Sequence, residues 1–498
     1  MAGTPTFDLL IVGGGINGAG IARDAAGRGL KVLLVEKDDL AAHTSSASTK
    51  LIHGGLRYLE QLEFRLVRES LVERERLWSI APHIIRPLDF VMPQPGATRP
   101  ASLVRLGLFL YDHLGGRKRL PPTRTLDLAT DARGDGLKNR TGKAFAYADC
   151  SVDDSRLVVL NALDAAERGA RIATRTELVH AERASDEWQA TLLGPQGEER
   201  VTARVLVNAT GPWVTDLLRR IHVESRRSIR LVKGSHIVLP RLYAGEHAFL
   251  IQNPDRRVVF AIPFERDFTL VGTTDSFWNA EPGSPQIDDA EVVYLLDAVA
   301  RTFAATVVRE DIVWAYSGIR PLFDDGSSNA ARVTRDYSLD FDTQGAPVLS
   351  IFGGKLTTYR RLAEQVLYRL NSIFPAAGSP WTAAAPLPGG DLPHGELSAL
   401  LGELRTEFPG VALTLLDRLV RTYGTRARQI LSAREIGMVV AGDLTYGEVR
   451  YLVEHEWAET AEDILFRRTK LGLHLPPTAT AELEETLEAM HRGSTHAA

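Results

Sequence analysis

The stretch Ile11-Val12-Gly13-Gly14-Gly15-Ile16-Asn17-Gly18-Ala19-Gly20 joins an apolar run that begins at Phe7 to a helix-like segment over residues 16–28. Its glycines have the spacing G-x-G-x-x-G, which permits a tight strand-to-helix turn and lets backbone N–H groups approach a pyrophosphate at the helix N-terminus. Gly29 can end that helix, and residues 31–36, with an apolar run between Lys31 and Glu36, predict a second strand. The start of the chain therefore predicts one βαβ unit of a dinucleotide-binding domain.

The acid at the end of the second strand, Glu36, lies 18 residues after Gly18. A carboxylate at this point accepts hydrogen bonds from ribose hydroxyls and disfavours a 2′-phosphorylated dinucleotide. NAD and FAD sites share these features, so the choice between the two cofactors depends on motifs elsewhere in the chain.

Three later motifs favour FAD, because a simple NAD domain needs none of them. They are Ser45-Ser46-Ala47-Ser48-Thr49-Lys50, Asn208-Ala209-Thr210-Gly211 and Gly353-Gly354-Lys355-Leu356-Thr357-Thr358. The Gly353-Gly354 pair precedes a helix-like segment and can supply N–H donors to a ribityl chain and to the O2 edge of a flavin. Taken singly, the serine run also fits a solvated loop, and Ala209-Thr210-Gly211 also fits an ordinary strand ending.

The rest of the chain alternates between doubly wound and antiparallel patterns. Residues 51–148 are irregular and proline-rich, residues 155–208 return to helix and strand, and residues 229–271 form short alternating strands. We predict an α/β protein with three domains. The predicted domains are a discontinuous Rossmann-type FAD-binding domain (1–50, 149–225 and 336–375), an antiparallel-sheet substrate domain (51–148 and 226–335) and a C-terminal helical domain (380–498).

Composition excludes several classes of protein. The net charge of −5 gives no general electrostatic reason to bind nucleic acid, and it counts against an RNA-associated flavoprotein. The single cysteine, Cys150, cannot form an internal disulfide, an iron–sulfur site or a four-cysteine zinc site. We therefore expect no metal and a reducing compartment.

Any contact with a membrane is expected to be peripheral. Residues 1–8 lack the basic region of a signal peptide and lead directly into the first strand. The most apolar candidate, residues 103–114, is interrupted by Arg105 and Asp112 and is shorter than the roughly 20 residues of a spanning helix. Residues 103–119, which end in Arg117-Lys118-Arg119, and the helix predicted over residues 355–373 are the monotopic candidates. For the second we favour a core-facing helix, with Arg360 pointing away from the core.

Several cations lie where an anion could bind. Arg57 and Tyr58 follow the serine run, Arg320 lies in the apolar turn Ser317-Gly318-Ile319-Arg320-Pro321-Leu322, and Lys233 precedes an apolar strand. For Arg57, a surface salt bridge fits equally well. His236 is a candidate general base, although a buried structural histidine is the more common case. Lys355 is the rival base, because a helix N-terminus disfavours its charged form; a solvated lysine is the alternative.

Together these residues closely resemble the FAD-dependent glycerol-3-phosphate dehydrogenases of the aerobic respiratory type, and the resemblance runs nearly from end to end. It is carried by residues 11–20 (IVGGGINGAG), 45–58 (SSASTKLIHGGLRY), 208–213 (NATGPW), 233–238 (KGSHIV), 272–275 (GTTD), 317–322 (SGIRPL) and 352–360 (FGGKLTTYR). The C-terminal part, including residues 451–473, resembles the C-terminal domain of that family, and we expect it to pack as a cap or as the surface of a possible homodimer.

The resemblance implies oxidation of sn-glycerol 3-phosphate to dihydroxyacetone phosphate by hydride transfer to N5 of FAD, with electrons passed to a membrane quinone. It also implies a cytoplasmic protein at the inner face of the cytoplasmic membrane. The implied substrate-binding residues are Arg57, Tyr58, Arg320 and Lys355, and the implied catalytic residues are Arg320, His236 and Lys355. The identity of the base stays open between His236 and Lys355.

The residues expected to bind FAD are Gly13, Gly15, Asn17, Gly18, Glu36, Ser45, Ser46, Ser48, Lys50, Ala209, Gly211, Gly353, Gly354, Lys355, Leu356 and Thr357. The alternative functions are an oxygen-using glycerol-3-phosphate oxidase and a related amino- or hydroxy-acid flavin oxidase. The related oxidases carry a central insertion that this sequence lacks, which favours the dehydrogenase.

Overall fold

The computed structural model describes residues 4–116, 119–225, 227–324 and 336–495. The strands are β1 Thr6–Val12, β2 Val32–Val35, β3 Leu51–Ile52, β4 Ile85–Pro93, β5 Arg124–Asp127, β6 Lys143–Val152, β7 Arg171–Ala173, β8 Glu177–Ala184, β9 Glu187–Gly194, β10 Gly197–Asn208, β11 Ile229–Pro240, β12 Ala248–Gln252, β13 Val258–Phe264, β14 Phe268–Gly272, β15 Ser276–Phe277, β16 Trp314–Phe323, β17 Ser338–Asp342, β18 Val348–Phe352, β19 Val439–Ala441 and β20 Leu444–Thr445. The α-helices are α1 Ile16–Gly27, α2 Phe64–Ile80, α3 Ala101–Leu114, α4 Asp154–Glu167, α5 Val214–Arg220, α6 Asp289–Thr302, α7 Tyr359–Leu370, α8 Leu397–Glu407, α9 Leu413–Tyr423, α10 Ala427–Leu431, α11 Tyr446–Glu456 and α12 Thr478–Thr495.

The first sheet has the order β17-β18-β10-β1-β2-β7, with β9 and β8 added beside β10. Strands β18, β10, β1, β2 and β7 are parallel to one another. Every residue of β2 is buried, as expected for a parallel strand that is covered on both faces. Helices α1, α4 and α7 pack together over one face, and this arrangement places the glycine turn at the carboxyl ends of the strands.

The second sheet has the order β15-β11-β14-β13-β12-β4-β6-β3, with β16 beside β11 and β5 beside β6. All its pairings are antiparallel except the one between β12 and β4. One face packs against α6, through Leu295 and Val299. The other face packs against α2 and α3, through Val67 and Leu108. Strand β16, which carries Arg320, contacts β18 and so places the second sheet beside the first.

The C-terminal part is mainly helical and has a hydrophobic core of its own, built from residues between Leu392 and Leu487. It also contains the short hairpin β19-β20, which the sequence did not predict. The predicted α/β class, with a discontinuous nucleotide-binding sheet, an antiparallel sheet and a C-terminal helical domain, is confirmed. Within the described ranges, no helix combines the length and the apolar character that a bilayer crossing requires.

The helix predicted over residues 355–373 differs from the prediction in two respects. A 3₁₀ turn, Leu356–Thr358, precedes α7, so the helix proper begins at Tyr359. Its apolar face lies in the core, as we favoured, but Arg360 does not point away from it. Arg360 is fully buried, and its Nε and Nη2 each donate a hydrogen bond of 2.6 Å to the carboxylate of Glu73. The expected outward orientation was wrong because Glu73 of α2 neutralises the guanidinium inside the core.

Candidate active site

The glycine turn after β1 brings three chain segments into close contact. A Cβ on Gly13, whose φ is +111°, would lie 2.5 Å from the carbonyl oxygen of Ala209. A Cβ on Gly18 would lie 1.9 Å from the carbonyl oxygen of Gly13. Gly13 therefore lets β1 approach the end of β10, whereas Gly18 lets α1 approach the turn itself.

Glu36 is buried directly after β2. Its Oε2 accepts a hydrogen bond of 2.6 Å from the backbone N–H of Gly14, and its Oε1 accepts one of 2.9 Å from that of Asp38. Burial raises the pKa of Glu36, and the two backbone donors oppose this effect. Potential metal-ligand atoms of Glu36, Asp38 and His43 lie within 4.8 Å of one another, but His43 already bonds Asp38 at 2.7 Å. The carboxylate thus borders the place where the first two strands present their carboxyl ends.

A cavity of about 440 Å³, called the nucleotide cavity below, runs from Glu36 and Trp213 to Tyr58 and Lys355. Thirteen of the residues expected to bind the cofactor line it: Gly13, Gly15, Asn17, Glu36, Ser45, Ser48, Ala209, Gly211, Gly353, Gly354, Lys355, Leu356 and Thr357.

Three residues expected at the cofactor do not line this cavity. Gly18 lies beneath the turn, and the hydroxyl of Ser46 donates to the carbonyl of His43 at 3.2 Å. Lys50 is buried, and its Nζ donates to Asp154 at 2.8 Å. Burial lowers the pKa of Lys50. The structure therefore places Lys50 in a buried ion pair behind the serine run.

The residues of the nucleotide cavity fit a flavin dinucleotide. The side-chain oxygen of Asn17 is buried and has no hydrogen-bond partner among the described residues, and its Nδ2 donates to the carbonyl of Gly353 at 3.4 Å. A Cβ on Gly354 would approach Asn17 Nδ2 to 3.0 Å. The two glycine motifs, more than 300 residues apart in the chain, thus meet through Asn17 and line the same cavity, which Lys355 also borders.

A second cavity of about 390 Å³ adjoins the first and is called the apolar cavity below. Its apolar walls come from α3 and from the second sheet, through Leu103, Leu106, Leu110, Leu250, Val258 and Phe260. Thr49, His53, Tyr58 and Arg320 line both cavities. These four residues therefore mark the junction of the two cavities.

Two arginines meet one carboxylate at this junction. Arg320 donates from Nη1 to Asp275 at 2.5 Å and from Nη2 to the hydroxyl of Thr273 at 2.9 Å. Arg57 Nη1 lies 3.8 Å from the other oxygen of Asp275. Both guanidinium groups remain about one quarter exposed to the cavities, while Asp275 is largely buried. The cluster carries a net positive charge and suits a phosphate or a carboxylate.

Lys355 and Tyr58 close the junction from the side of the nucleotide cavity. The ammonium of Lys355 lies 3.8 Å from the centre of the Tyr58 ring, a distance typical of a cation–π contact. Lys355 precedes the 3₁₀ turn that leads into α7, where a lysine side chain can reach into the cleft. The structure therefore brings all four residues expected to bind substrate to one place.

His236, the other expected catalytic residue, lines neither cavity. It is fully buried, its ring stacks on Tyr316 at 4.9 Å, and its Nε2 lies 3.0 Å from the hydroxyl of Thr49. Burial, with the positive charges of Arg320 and Lys50, holds the pKa of His236 well below its usual range. His236 is thus a neutral imidazole, and its hydrogen bond with Thr49 connects it to the cavities.

Lys233, which the sequence offered as an anion binder, has another role. Its Nζ lies 3.0 Å from carboxylate oxygens of both Asp288 and Glu291. Glu291 also accepts hydrogen bonds of 2.7 Å from Ser235 and from Thr274. Lys233 therefore belongs to a network that supports the segment of Thr273 and Asp275, and the interpretation as an anion site was wrong.

Sequence reasoning assigned no role to Thr49, Thr273 or Asp275. The motifs that contain them were noted, but nothing local indicates that Asp275 faces Arg320. Their meeting depends on β11, which pairs with β15 on one edge and with β16 along the other, so that Val232 is opposite both Phe277 and Arg320. The GTTD motif, at 272–275, was the only available signal in the sequence.

Comparison with known proteins agrees with this geometry. Residues 8–360 match the family described as FAD dependent oxidoreductase, and residues 380–495 match the family described as the C-terminal domain of alpha-glycerophosphate oxidase. Fold and cavity together thus define an FAD-dependent oxidoreductase with an added C-terminal domain.

Relatives that match this chain over nearly their full length indicate which FAD-dependent oxidoreductases it resembles. The chain is 48% identical to a glycerol-3-phosphate dehydrogenase of Pseudomonas aeruginosa, over 99% of this chain and 97% of the relative. It is 45% identical to the aerobic glycerol-3-phosphate dehydrogenase of Escherichia coli, over 94% and 95%. It is 52% identical to the D-erythritol 1-phosphate dehydrogenase of Brucella abortus, over 97% and 98%. The chain belongs to the family of FAD-dependent glycerol-3-phosphate dehydrogenases.

A solved structure supports the same assignment. The glycerol-3-phosphate dehydrogenase from Bacillus halodurans, complexed with FAD, superposes with a TM-score of 0.75 at 26% identity. The match covers 93% of this chain and 86% of that one. FAD is accordingly the cofactor of this protein.

Proposed function

We propose that the protein oxidises sn-glycerol 3-phosphate to dihydroxyacetone phosphate and passes the electrons to a membrane quinone. The observation that carries this proposal is the junction of the two cavities, where Arg57, Arg320 and Lys355 surround a space between a dinucleotide cleft and an apolar cleft. Membership of the family of FAD-dependent dehydrogenases does not depend on the substrate, the base or the electron acceptor that we propose.

In this proposal FAD occupies the nucleotide cavity. The turn at Gly13 and Gly15 faces the pyrophosphate, Glu36 faces the adenosine ribose, and Gly353 and Gly354 face the flavin end. FAD supplies the hydride acceptor, N5 of its isoalloxazine ring. The task of the protein is to hold the substrate C2 beside that ring and to exclude water from it.

The substrate phosphate binds to the cations at the junction. Arg320 is held by Asp275 and Thr273, so its guanidinium is oriented before the substrate arrives. Arg57 and Lys355 border the same junction from the apolar and the nucleotide cavity, and together the three cations exceed the single charge of Asp275. A dianionic phosphate matches this surplus better than the single carboxylate of an amino or hydroxy acid, which favours a phosphate ester.

The C2 hydroxyl proton has two acceptors in this arrangement. Lys355 borders the nucleotide cavity directly; as the acceptor it would be the neutral amine, and Arg57 and Arg320 would then supply the positive charge for the phosphate. His236 receives a proton only through the hydroxyl of Thr49, which borders both cavities. Thr49→Val separates the two routes: it removes the hydroxyl, so a route through His236 loses activity while a route through Lys355 keeps it.

The apolar cavity supports a quinone as the electron acceptor. It adjoins the junction at Tyr58 and Arg320, and apolar side chains of α3 and of β12 and β13 line it. A quinone ring at the junction could accept electrons from the flavin while its isoprenoid tail lies along these apolar walls.

The surface above this cavity supports contact with a membrane. On α3, Leu103, Leu106 and Phe109 are each more than half exposed, and Leu62 and Phe64 extend the same patch. Leu103 and Leu106 also line the apolar cavity. A membrane that contacts α3 would therefore lie next to the apolar cavity. Of the basic residues predicted at the end of this segment, Arg117 and Lys118 lie outside the described residues, and Arg119 packs over Trp78 at 3.7 Å. We propose the inner face of the cytoplasmic membrane as the site of this contact.

Liposome flotation tests the membrane contact. Phe109→Asp should lower binding to vesicles and the rate with a long-chain quinone, but leave the rate with a short-chain quinone unchanged, because Phe109 does not line the apolar cavity. Val293→Asp is the matched control, because Val293 is equally exposed on α6, far from α3 in the chain. Equal loss in both variants, or no loss in Phe109→Asp, would contradict the proposal.

A second candidate substrate is D-erythritol 1-phosphate. The observation in its favour is the 52% identity to a dehydrogenase that bears this substrate in its name. A four-carbon polyol phosphate would present the same phosphate and the same secondary alcohol to the cations at the junction.

The first experiment is anaerobic reduction of the bound flavin by each phosphate ester. Faster bleaching with glycerol 3-phosphate supports the proposed substrate, and faster bleaching with D-erythritol 1-phosphate replaces it. Reoxidation by a soluble quinone analogue in preference to air supports the dehydrogenase, whereas rapid reoxidation by air indicates the oxidase. Bleaching only by amino or hydroxy acids would overturn the phosphate-ester assignment.

A further inference from the structure

The loop over residues 37–50, called the cofactor loop below, forms much of the wall of the nucleotide cavity. His43, Ser45 and Thr49 all line that cavity. The loop contains only one short regular element, the 3₁₀ turn Thr44–Ser46. A segment with so few backbone hydrogen bonds of its own keeps a defined shape only if other parts of the chain hold it.

The C-terminal domain holds this loop at Asp39. Arg468 donates from Nη1 and Nη2 to the two carboxylate oxygens of Asp39, each at 2.8 Å, and Arg467 donates from Nε at 2.7 Å. The side chains of Asp39 and Arg468 are 2% and 0% exposed, so water does not screen the contact. Arg468 also donates to the backbone carbonyl of Glu456 at 2.7 Å, which fixes it to α11.

The C-terminal domain also holds the segment between β7 and β8, which hydrogen-bonds the backbone of Glu36 and Asp38. Asp463 accepts a hydrogen bond of 2.6 Å from the side chain of Arg175, between β7 and β8. The backbone N–H of Arg175 donates to the carbonyl of Asp38 at 2.9 Å, and that of Thr176 donates to the carbonyl of Glu36 at 2.7 Å. Asp463 and the two arginines belong to one π-helical turn, Asp463–Arg468, a type of turn that is frequent at functional sites.

A third contact fixes the far end of the loop. Lys470 donates to Asp153 at 3.1 Å and to the hydroxyl of Ser155 at 2.6 Å. Asp154, between these two residues, accepts hydrogen bonds from Ser48 at 2.7 Å and from Lys50 at 2.8 Å. The C-terminal residues thus hold the cofactor loop near both of its ends.

We propose that Arg467 and Arg468 are positioning residues for the cofactor: by holding Asp39 they keep the loop in the shape that binds FAD. The C-terminal domain would then contribute to flavin affinity without touching the flavin. This inference rests on the assignment of FAD to the nucleotide cavity, but it is independent of the substrate and of the electron acceptor.

The test is the affinity of the full-length apoprotein for FAD, measured by quenching of flavin fluorescence. For Arg468→Met we expect the dissociation constant to rise at least about tenfold, which corresponds to about 1.4 kcal/mol. Arg467→Met should give a smaller rise, because Arg468 still binds Asp39. FAD release from the holoenzyme should be faster in the same order.

Arg418→Met is the matched control. Arg418 also makes a bidentate contact, to Glu448 at 2.7 Å through both Nη atoms, but this pair lies within the C-terminal domain and does not contact the cofactor loop. The thermal midpoint of each apoprotein reports the structural cost of each substitution. The proposal predicts weaker FAD binding in Arg467→Met and Arg468→Met but not in Arg418→Met, even if the thermal midpoint falls equally in all three variants.

Two results overturn the proposal: an unchanged dissociation constant in Arg468→Met, or an equal rise in Arg418→Met. If Arg468→Met does not fold, the comparison of Arg467→Met with Arg418→Met decides in the same way. A wild-type chain that fails to bind FAD would instead refute the cofactor cavity itself, so the two failures are distinguishable.

Discussion

The replacement of Arg320 by alanine removes the best-oriented cation at the junction of the two cavities. In the structure this guanidinium is fixed by Asp275 at 2.5 Å and by Thr273 at 2.9 Å, while about a quarter of its surface still faces the cavities. In the proposed binding mode it would bind a phosphate oxygen without reorganisation and would lie close to the negative charge that develops during oxidation of the alcohol.

The expected loss can be worked out from these contacts. Removal of one preorganised donor at a developing charge costs about 2.7–4 kcal/mol, or about 10²–10³ in rate, and we expect kcat/KM for the substrate to fall by this amount. The fold should survive, because the β16 backbone keeps its pairing with β11 and Asp275 keeps Arg57 at 3.8 Å. The purified variant should therefore remain yellow.

Steady-state kinetics with a soluble quinone analogue, together with flavin content per chain, measure this effect. Arg230→Ala is the control, since Arg230 lies on the adjacent strand β11 and stacks on Phe277 instead of bordering the junction. A double-mutant cycle with Asp275→Asn should show strong coupling, because the two side chains act as one unit. A kcat/KM within about threefold of the wild-type value, with full flavin content, would falsify the assigned role.

Three further outcomes are expected. Gly13→Ala should abolish FAD binding, since the added Cβ would lie 2.5 Å from the carbonyl oxygen of Ala209; a normal yellow holoenzyme would contradict this. Burial lowers the pKa of His83 from 6.5 to about 3, so the unfolded chain takes up a proton near pH 6.5 while the folded chain does not, and stability is lost as the pH falls. In urea titrations at pH 7 and pH 5, His83→Leu should reduce that loss by about 2 kcal/mol, and an unchanged loss would refute the argument. If His236 takes the substrate proton, Thr49→Val and His236→Gln should shift the pH profile of kcat in the same way, whereas different profiles would favour Lys355.

The nucleotide-binding unit was predictable from the sequence because its signals are local, whereas the choice of FAD over NAD rested on three further motifs spread along the chain. The glycine spacing at Gly13, Gly15 and Gly18 follows from the steric needs of one turn, and the position of Glu36 follows from the length of one strand-helix-strand unit. The apolar face of α7 could also be predicted, because the helical spacing of apolar residues is visible within a few turns of sequence. These features need only a short stretch of chain to be recognised.

Only the tertiary structure determined which residues far apart in the chain contact one another. Lys50 and Arg360 are cations that the sequence placed at a ligand or in solvent, yet partners more than 100 residues away bury them as ion pairs. The meeting of Arg320 with Asp275, the position of His236 behind Thr49, and the contact of Arg468 with Asp39 across 429 residues depend on sheet register and on domain packing. Such contacts leave no periodic trace in the sequence, because a side chain's charge and size do not specify which distant residue will neutralise it.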